Sequence, residues 1–194
     1  MEGSGDRRVR RTKARLRGAL NGLLREKELK EITVTELTER ADVNRGTFYC
    51  HYRDVYDMAE QLERETFAEF TALLDAYTAE ELRRGLRPIL EDVFRFLERN
   101  LDLTGLILRT GQRTAFLERM KEIIREKVGR EWSGLYRFKD PAAWDYCLDF
   151  VVGGVVSLMQ TWVQGECRET AEEMAALTEN MIQNGIAPLE TGGN

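Results

Sequence analysis

The chain has 194 residues, enough for one domain or two small ones around a buried core. Hydrophobic residues make up 42% and charged residues 32%, which fits a globular chain and excludes a disordered or fibrous one. A single histidine, and three cysteines without C-x-x-C spacing, argue against a zinc site and against Cys-His or Ser-His-Asp catalysis, while a net charge of −5 excludes a uniformly basic nucleic-acid binder.

The charge is unevenly spread. Met1 to Arg53 holds 13 Lys and Arg against 8 Asp and Glu, a net of +5, whereas the remainder holds 16 against 26, a net of −10. Screening confines interactions between exposed charges to about 10 Å at ordinary ionic strength. The basic end can therefore meet a phosphate backbone, while the acidic remainder discourages indiscriminate binding. Prolines stand only at 88, 141 and 188, leaving long stretches without a helix breaker. An all-α fold is expected.

Met1 to Lys13 is polar and carries no apolar segment for export, and Met1 to Asp6 is expected to be disordered. With an odd cysteine count, this suits a reducing cytoplasm. Arg7, Arg8, Arg10, Arg11, Lys13, Arg15 and Arg17 then lead into a first helix. Alone, such a run reads as a solvated face; beside a helix-turn-helix, contact with phosphate or a minor groove is the stronger reading. Val9, Leu16, Ala19, Leu20, Leu23 and Leu24 recur at helical spacing and form its apolar stripe.

Two short helices separated by a tight turn follow, within ITVTELTERADVNRGTFYCHY from Ile32 to Tyr52. Thr33 and Glu36 have the S/T-x-x-E spacing of a capping box, which starts a helix at Val34. Val34, Leu37 and Ala41 give it one apolar face until Asp42 and Val43 interrupt the pattern. Asn44 can cap a second helix over Arg45 to about His51, with Gly46 permitting close backbone approach. Phe48 is placed inward with Val43, which leaves Arg45, Thr47, Tyr49 and His51 outward as donors. Leu20, Leu37 and Phe48 would centre a three-helix core. This is the layout that places a second helix in a major groove.

In this stretch the chain resembles the DNA-binding domain of the tetracycline-repressor-like (TetR) family of bacterial regulators. Thr47, Phe48, Tyr49, Cys50, His51 and Tyr52 match its T-[LF]-Y-x-H-[FY] pattern, and the likeness runs from about Thr12 to Leu62. The candidate DNA-binding residues are Thr35, Arg45, Gly46, Thr47, Tyr49, His51, Tyr52 and Arg53. Arg45 is the expected reader of guanine, Tyr49 a contact to phosphate, sugar or a thymine methyl, and Thr35, Thr47 and His51 positioning contacts. The family's next helix usually begins with a phosphate-binding lysine; Val55 stands there, leaving Arg53 as the nearest substitute.

A long helix is expected from Asp54 to about Glu80, with Met58, Leu62, Phe67, Phe70, Leu74 and Tyr77 on one face. Arg87 or Pro88 opens another, followed by a short helix over Leu103 to Arg109 and a third carrying Phe116, Met120, Ile123, Ile124 and Trp132. A looser segment, Gly134 to Asp140, precedes a helix opened by Pro141. Trp144 to Val163 is apolar nearly all round except for Asp149 and Gln160, which suits a helix buried against its own domain on one face and a partner on the other better than a membrane span. The last helix carries Ala171, Met174, Ala175, Thr178, Met181 and Ile182, the stripe of a helix-helix seam, either in a two-fold dimer or inside the chain.

Residues 8–60 are thus expected to form the DNA-binding domain and residues 61–190 a helical regulatory and dimerisation domain. Phe94, Leu97, Phe116, Met120, Ile124, Phe150, Met159 and Trp162 read as core, and the resemblance implies an effector cavity among them. It further implies a homodimer on a partly palindromic duplex operator, a small-molecule effector, no cofactor, no metal and no membrane. A repressor is the leading reading. An activator or co-activator working through a protein partner stays open, and a helical enzyme with a DNA-binding appendage is disfavoured by the lack of a second histidine, a phosphate loop or paired carboxylates.

Overall fold

The computed structural model describes residues 4–101, 113–132 and 141–186. Among these, every regular element is helical, and the chain divides into two compact units, Met1–Thr66 and Phe67–Asn194. The expected helix at Leu103 to Arg109 and the segment Gly134 to Asp140 lie outside the described residues.

The first unit is built on α1 (Ser4–Leu24), α2 (Val34–Ala41), α3 (Arg45–Tyr49) and the start of α4 (Val55–Asp75). A 3-10 turn, Leu29–Glu31, links α1 to α2. Leu16, Leu20 and Leu23 of α1, Leu37 of α2, Phe48 of α3 and Met58 of α4 are all fully buried and make up the core of this unit. Each such side chain gains roughly 1.5–3 kcal/mol on burial, so the stripe of α1 does most to hold the short helices in place. Two expectations fail here. The first helix already includes Ser4 to Asp6, and Val9 lies exposed, about two turns before the buried run begins at Leu16.

Helix α4 is 21 residues long and about 30 Å from end to end. It stops at Asp75 rather than near Glu80 because a competing start signal follows. The Thr78 hydroxyl accepts from the Glu81 amide (3.3 Å) while the Glu81 carboxylate accepts from the Thr78 amide (2.9 Å), opening α5 (Ala79–Arg84). Gly85, at φ 157°, turns the chain into α6 (Arg87–Arg99), with Pro88 in the first turn as expected. The start of α6 is capped from far along the chain: one Glu179 oxygen accepts from the amides of Leu86 (2.9 Å) and Arg87 (3.0 Å).

The second unit is completed by α7 (Arg113–Trp132), α8 (Pro141–Gln164) and α9 (Ala171–Ile186). Helix α9 packs on α6, and α7 packs on α8. Phe94 meets Trp162 edge-on at 5.2 Å, Phe70 lies 5.5 Å from Phe96, and the Trp162 indole donates to the Glu169 carbonyl at 2.9 Å.

Within the single chain, helix α8 is buried on one face. Leu148, Val151, Val152, Val155, Met159 and Trp162 face inward, whereas Tyr146, Phe150, Gly154, Ser157 and Thr161 form an exposed stripe. By length and composition Trp144–Gln164 could cross a membrane, but half of its apolar window is buried in protein and Asp149 is paired with Arg125. On α9, Ala171, Met174, Ala175, Thr178 and Ile182 are consumed inside the chain, so that stripe is core rather than a seam left open for a partner. Met181 is the exception: it is exposed beside Leu177.

Candidate nucleic-acid interface

The geometry of α3 follows from its caps and one anchor. Thr33 starts α2 by accepting from the Glu36 amide at 3.3 Å, but the expected reciprocal bond is replaced, because the Glu36 carboxylate is taken by Lys27. Asp42 ends α2 in the left-handed region (φ 48°, ψ 54°), its amide donating to the Glu39 carbonyl at 3.1 Å. The Asp42 carboxylate is paired with Arg15 of α1. Two residues on, Asn44 Oδ1 accepts from the Gly46 amide at 2.7 Å and starts α3. A Cβ at Gly46 would come within 3.1 Å of that oxygen, so this glycine leaves room for the cap.

Phe48 is fully buried and fixes the rotation of α3. Arg45, Gly46, Tyr49 and Cys50 consequently face solvent, with Tyr49 58% exposed, and Thr47 and His51 are half-buried. The helix ends at Tyr49, two residues before the expected end, and Cys50 and His51 form the turn after it. Arg45 Nη2 donates to the Thr35 hydroxyl, so the structure joins two of the expected residues and holds the guanidinium at the surface. A fixed guanidinium fork, a phenol and a helix tip can address base edges and phosphate together.

Tyr52 does not share that surface. It is buried, its ring 5.5 Å from Phe48 and beneath Lys13 Nζ (6.0 Å from the ring centroid), and burial pushes its phenol up to about 12. Its position one turn's spacing after Phe48 carried that signal, and the Tyr52 amide donates to the Phe48 carbonyl at 3.0 Å. Arg53 is exposed, but Asp57 accepts from both its amide (2.9 Å) and its guanidinium (3.3 Å), and the amide bond above all holds the Asp57 carboxyl below its ordinary value. Val55 is buried, which accounts for an apolar residue at the start of α4.

The second unit contains a cavity of about 60 Å³ bordered by residues of α4 to α9. Ile124 and Met159 of the expected effector set line it. Phe94, Leu97, Phe116, Met120 and Trp162 are buried in the surrounding packing, with Phe116 4.8 Å from Phe67. Phe150 is 73% exposed on the outer stripe of α8 and is not part of the cavity, since it falls opposite the inward valines. The residue the sequence reading missed is Lys127, only 5% exposed, which borders the cavity and donates from Nζ to the Tyr77 carbonyl at 2.6 Å. Its spacing three after Ile124, on the apolar face of α7, was the available clue. Tyr77 in turn donates its hydroxyl to Asp92 at 2.6 Å, and burial together with that bond raises its phenol.

Two short helices held at a tight turn on a three-helix core, followed by a separate helical unit, define a helix-turn-helix transcriptional regulator. Residues 85–184 match the family model described as "Transcriptional regulator C-terminal region", of TetR type. The chain belongs to the TetR family of transcriptional regulators, and is a regulator rather than an enzyme. A curated relative, an uncharacterised HTH-type transcriptional regulator YxbF from Bacillus subtilis (strain 168), is 31% identical over 88 residues, which is 41% of this chain and 23% of the relative. The chain thus spans about a quarter of that relative's length.

Solved structures share the fold. A TetR transcriptional regulator from Streptococcus agalactiae is 22% identical with a TM-score of 0.60, covering 92% of this chain and 97% of the other. The regulator FadR from Bacillus subtilis, solved in complex with stearoyl-CoA, is 16% identical with a TM-score of 0.65, covering 89% and 98%.

Proposed function

We propose that this regulator is a ligand-responsive repressor that binds a partly palindromic duplex operator as a homodimer in the cytoplasm. Residues 8–60 would read DNA and residues 61–190 would bind effector and partner. The observation that carries the reading is the solvent-facing tip of α3, where Arg45 and Tyr49 stand on a helix fixed by Phe48. Arg45 is assigned to a guanine edge. Tyr49, Thr35, Thr47, Gly46 and His51 are assigned to backbone and positioning contacts, and Arg53 to phosphate once it leaves Asp57.

Support for dimerisation comes from the exposed apolar stripe of Tyr146 and Phe150 on α8 with Leu177 and Met181 on α9. The two helices meet there, since a Cβ at Gly185 would lie 3.8 Å from the Phe150 ring. Support for an effector comes from the cavity, although about 60 Å³ is far below the ~300–1,000 Å³ of sites for drug-sized ligands. Effector entry must therefore part the helices around it, and any movement of Leu74 is a movement of α4, the helix that begins in the first unit. That the similar regulator FadR was solved in complex with stearoyl-CoA fits a regulator that takes a small-molecule effector.

The test is selection of duplexes from a random pool by the full chain, followed by fluorescence anisotropy on the selected site. A two-fold related pair of half-sites about one helical turn or a multiple apart is expected. Binding no tighter than to random duplex would remove the reading.

A further inference from the structure

We propose that the N-terminal overhang of α1 is a second contact to duplex DNA, in which Arg7, Arg8 and Arg11 lie along phosphates flanking the bases that α3 reads. The inference rests on the operator reading above and adds to it a surface that sets affinity without reading sequence.

Helix α1 begins at Ser4, yet the first buried side chain among its described residues is Leu16. Arg7, Arg8, Val9, Arg10 and Arg11 are all exposed, so about two turns of helix project beyond the core. The cations of this helix divide by what they meet. Lys13 is paired with Glu65 and Arg15 with Asp42. Among the described residues, Arg7, Arg8 and Arg11 form no ion pair.

Spacings of three and four residues put Arg7, Arg8 and Arg11 on one face with Arg15. Arg15 reaches the Asp42 carboxylate at the end of α2, two residues before Asn44 caps α3. This face of α1 is therefore the one beside the turn that leads to Arg45. Along the axis, Arg11 lies about 6 Å and Arg7 about 12 Å from Arg15. One strand of a duplex carries a phosphate about every 3.4 Å, so the run from Arg7 to Arg15 is as long as three or four of them.

Such a strip is unfavourable for the helix alone. Arg7 puts positive charge in the first turn, against the helix dipole, and Arg7, Arg11 and Arg15 repel one another at four-residue spacing. A merely solvated face mixes its signs, as α6 does with Arg87 and Glu91 and α7 with Lys121 and Glu118. An anionic strand laid along the arginines reverses both costs, because each guanidinium can then donate charge-assisted bonds to phosphate oxygens. Phosphates are alike on every sequence, so the strip contributes affinity and register but no base preference. At ordinary ionic strength its charges act only within about 10 Å, which confines the gain to a chain already seated on the duplex.

The test is the salt dependence of binding to the selected duplex, measured by fluorescence anisotropy with the full chain between about 50 and 200 mM salt. Arg7→Gln, Arg8→Gln and Arg11→Gln combined should reduce the slope of log affinity against log salt by about 2.7 for each protomer bound, at roughly 0.9 per phosphate. Each single change should reduce it by about one. Preference among single-base variants of the site should stay as it is, and Arg7→Lys, Arg8→Lys and Arg11→Lys combined should keep the slope. A slope unmoved by the glutamines overturns the proposal. So do a slope that the lysines fail to keep and a change in base preference, which would assign the arginines to base edges rather than phosphates. If the triple glutamine chain loses helical circular dichroism, the single changes decide.

The same titrations separate this inference from the broader one. A chain that selects a site but has a slope indifferent to these arginines refutes the strip and leaves the operator reading intact. A chain that holds random duplex through these arginines but selects no site supports the strip and refutes the operator reading.

Discussion

Replacing Phe150 with Asp tests whether the outer stripe of α8 and α9 is where two copies meet. An aromatic side chain can bury about 150–250 Å². At 73% exposure, Phe150 leaves roughly 110–180 Å² of that uncovered in the single chain. Covering it would contribute about 3–4.5 kcal/mol, and a two-fold axis counts it twice, for about 6–9 kcal/mol before ordering costs. If only a third survives those costs, the substitution still weakens dimerisation about 30- to 150-fold, and a buried aspartate without a partner adds to that. Sedimentation velocity from nanomolar to micromolar concentration measures the dissociation constant directly. Circular dichroism should show an unchanged helical protomer, because this ring adds little to its own core. Phe94→Ala serves as the contrast: its side chain is fully buried, and its loss should cost the protomer about 3–5 kcal/mol. A Phe150→Asp chain with the dissociation constant of the unaltered protein would show that the stripe is not the interface.

Three further outcomes are expected. Arg45→Ala should cost about 1–3 kcal/mol per half-site and relax base preference at one or two positions, read by anisotropy on single-base variants of the operator; unchanged preference would take Arg45 out of the reading role. Glu179→Ala strips two amides at the start of α6 of their acceptor and should lower stability in urea by about 1–3 kcal/mol while leaving DNA sequence preference alone. The Asp57 carboxyl is held below its unfolded value by the Arg53 amide, so its contribution to stability is present above the ordinary Asp value and is lost as pH falls through the lower folded value. Carboxyl NMR should place the Asp57 midpoint below that of a free aspartate, and Asp57→Asn should remove this part of the acid sensitivity.

The first unit was legible because its information is local. Thr33, Asn44 and the inward Phe48 each act within a few residues, so sequence spacing alone placed the start of α2, the turn and the outward face of α3. Where the reading failed nearby, a second local signal had been passed over: Thr78 and Glu81 form a capping box that ends the run of α4, and Tyr52 follows Phe48 by four residues and packs its ring on it. The second unit was less legible because its determinants are remote in sequence. The acceptor for the first amides of α6 is Glu179, more than ninety residues away, and periodicity on α9 cannot say whether the stripe of Met174 and Thr178 meets α6 of the same chain or a second copy. Lys127 was overlooked for a related reason, since a charged residue on an apolar face reads as an interruption until its acceptor, fifty residues earlier, is known.

The electrostatics of the first unit also change once the fold is known. The excess of basic residues up to Arg53 would suggest a strongly positive surface, yet several of those cations are spent internally: Arg15 on Asp42, Lys27 on Glu36, Arg40 on Glu26 and Lys13 on Glu65. Exposed pairs of this kind are worth little for stability, typically under about 1 kcal/mol each. Their larger effect is to neutralise positive charge along α1 and α2 while Arg45, anchored by the neutral Thr35 hydroxyl, keeps its full charge at the tip of α3. A carboxylate partner would have to be displaced by an anionic duplex at the cost of an ion pair; a hydroxyl can be exchanged for a guanine edge with little electrostatic loss. If the proposed operator reading holds, the arrangement favours discrimination over indiscriminate attraction.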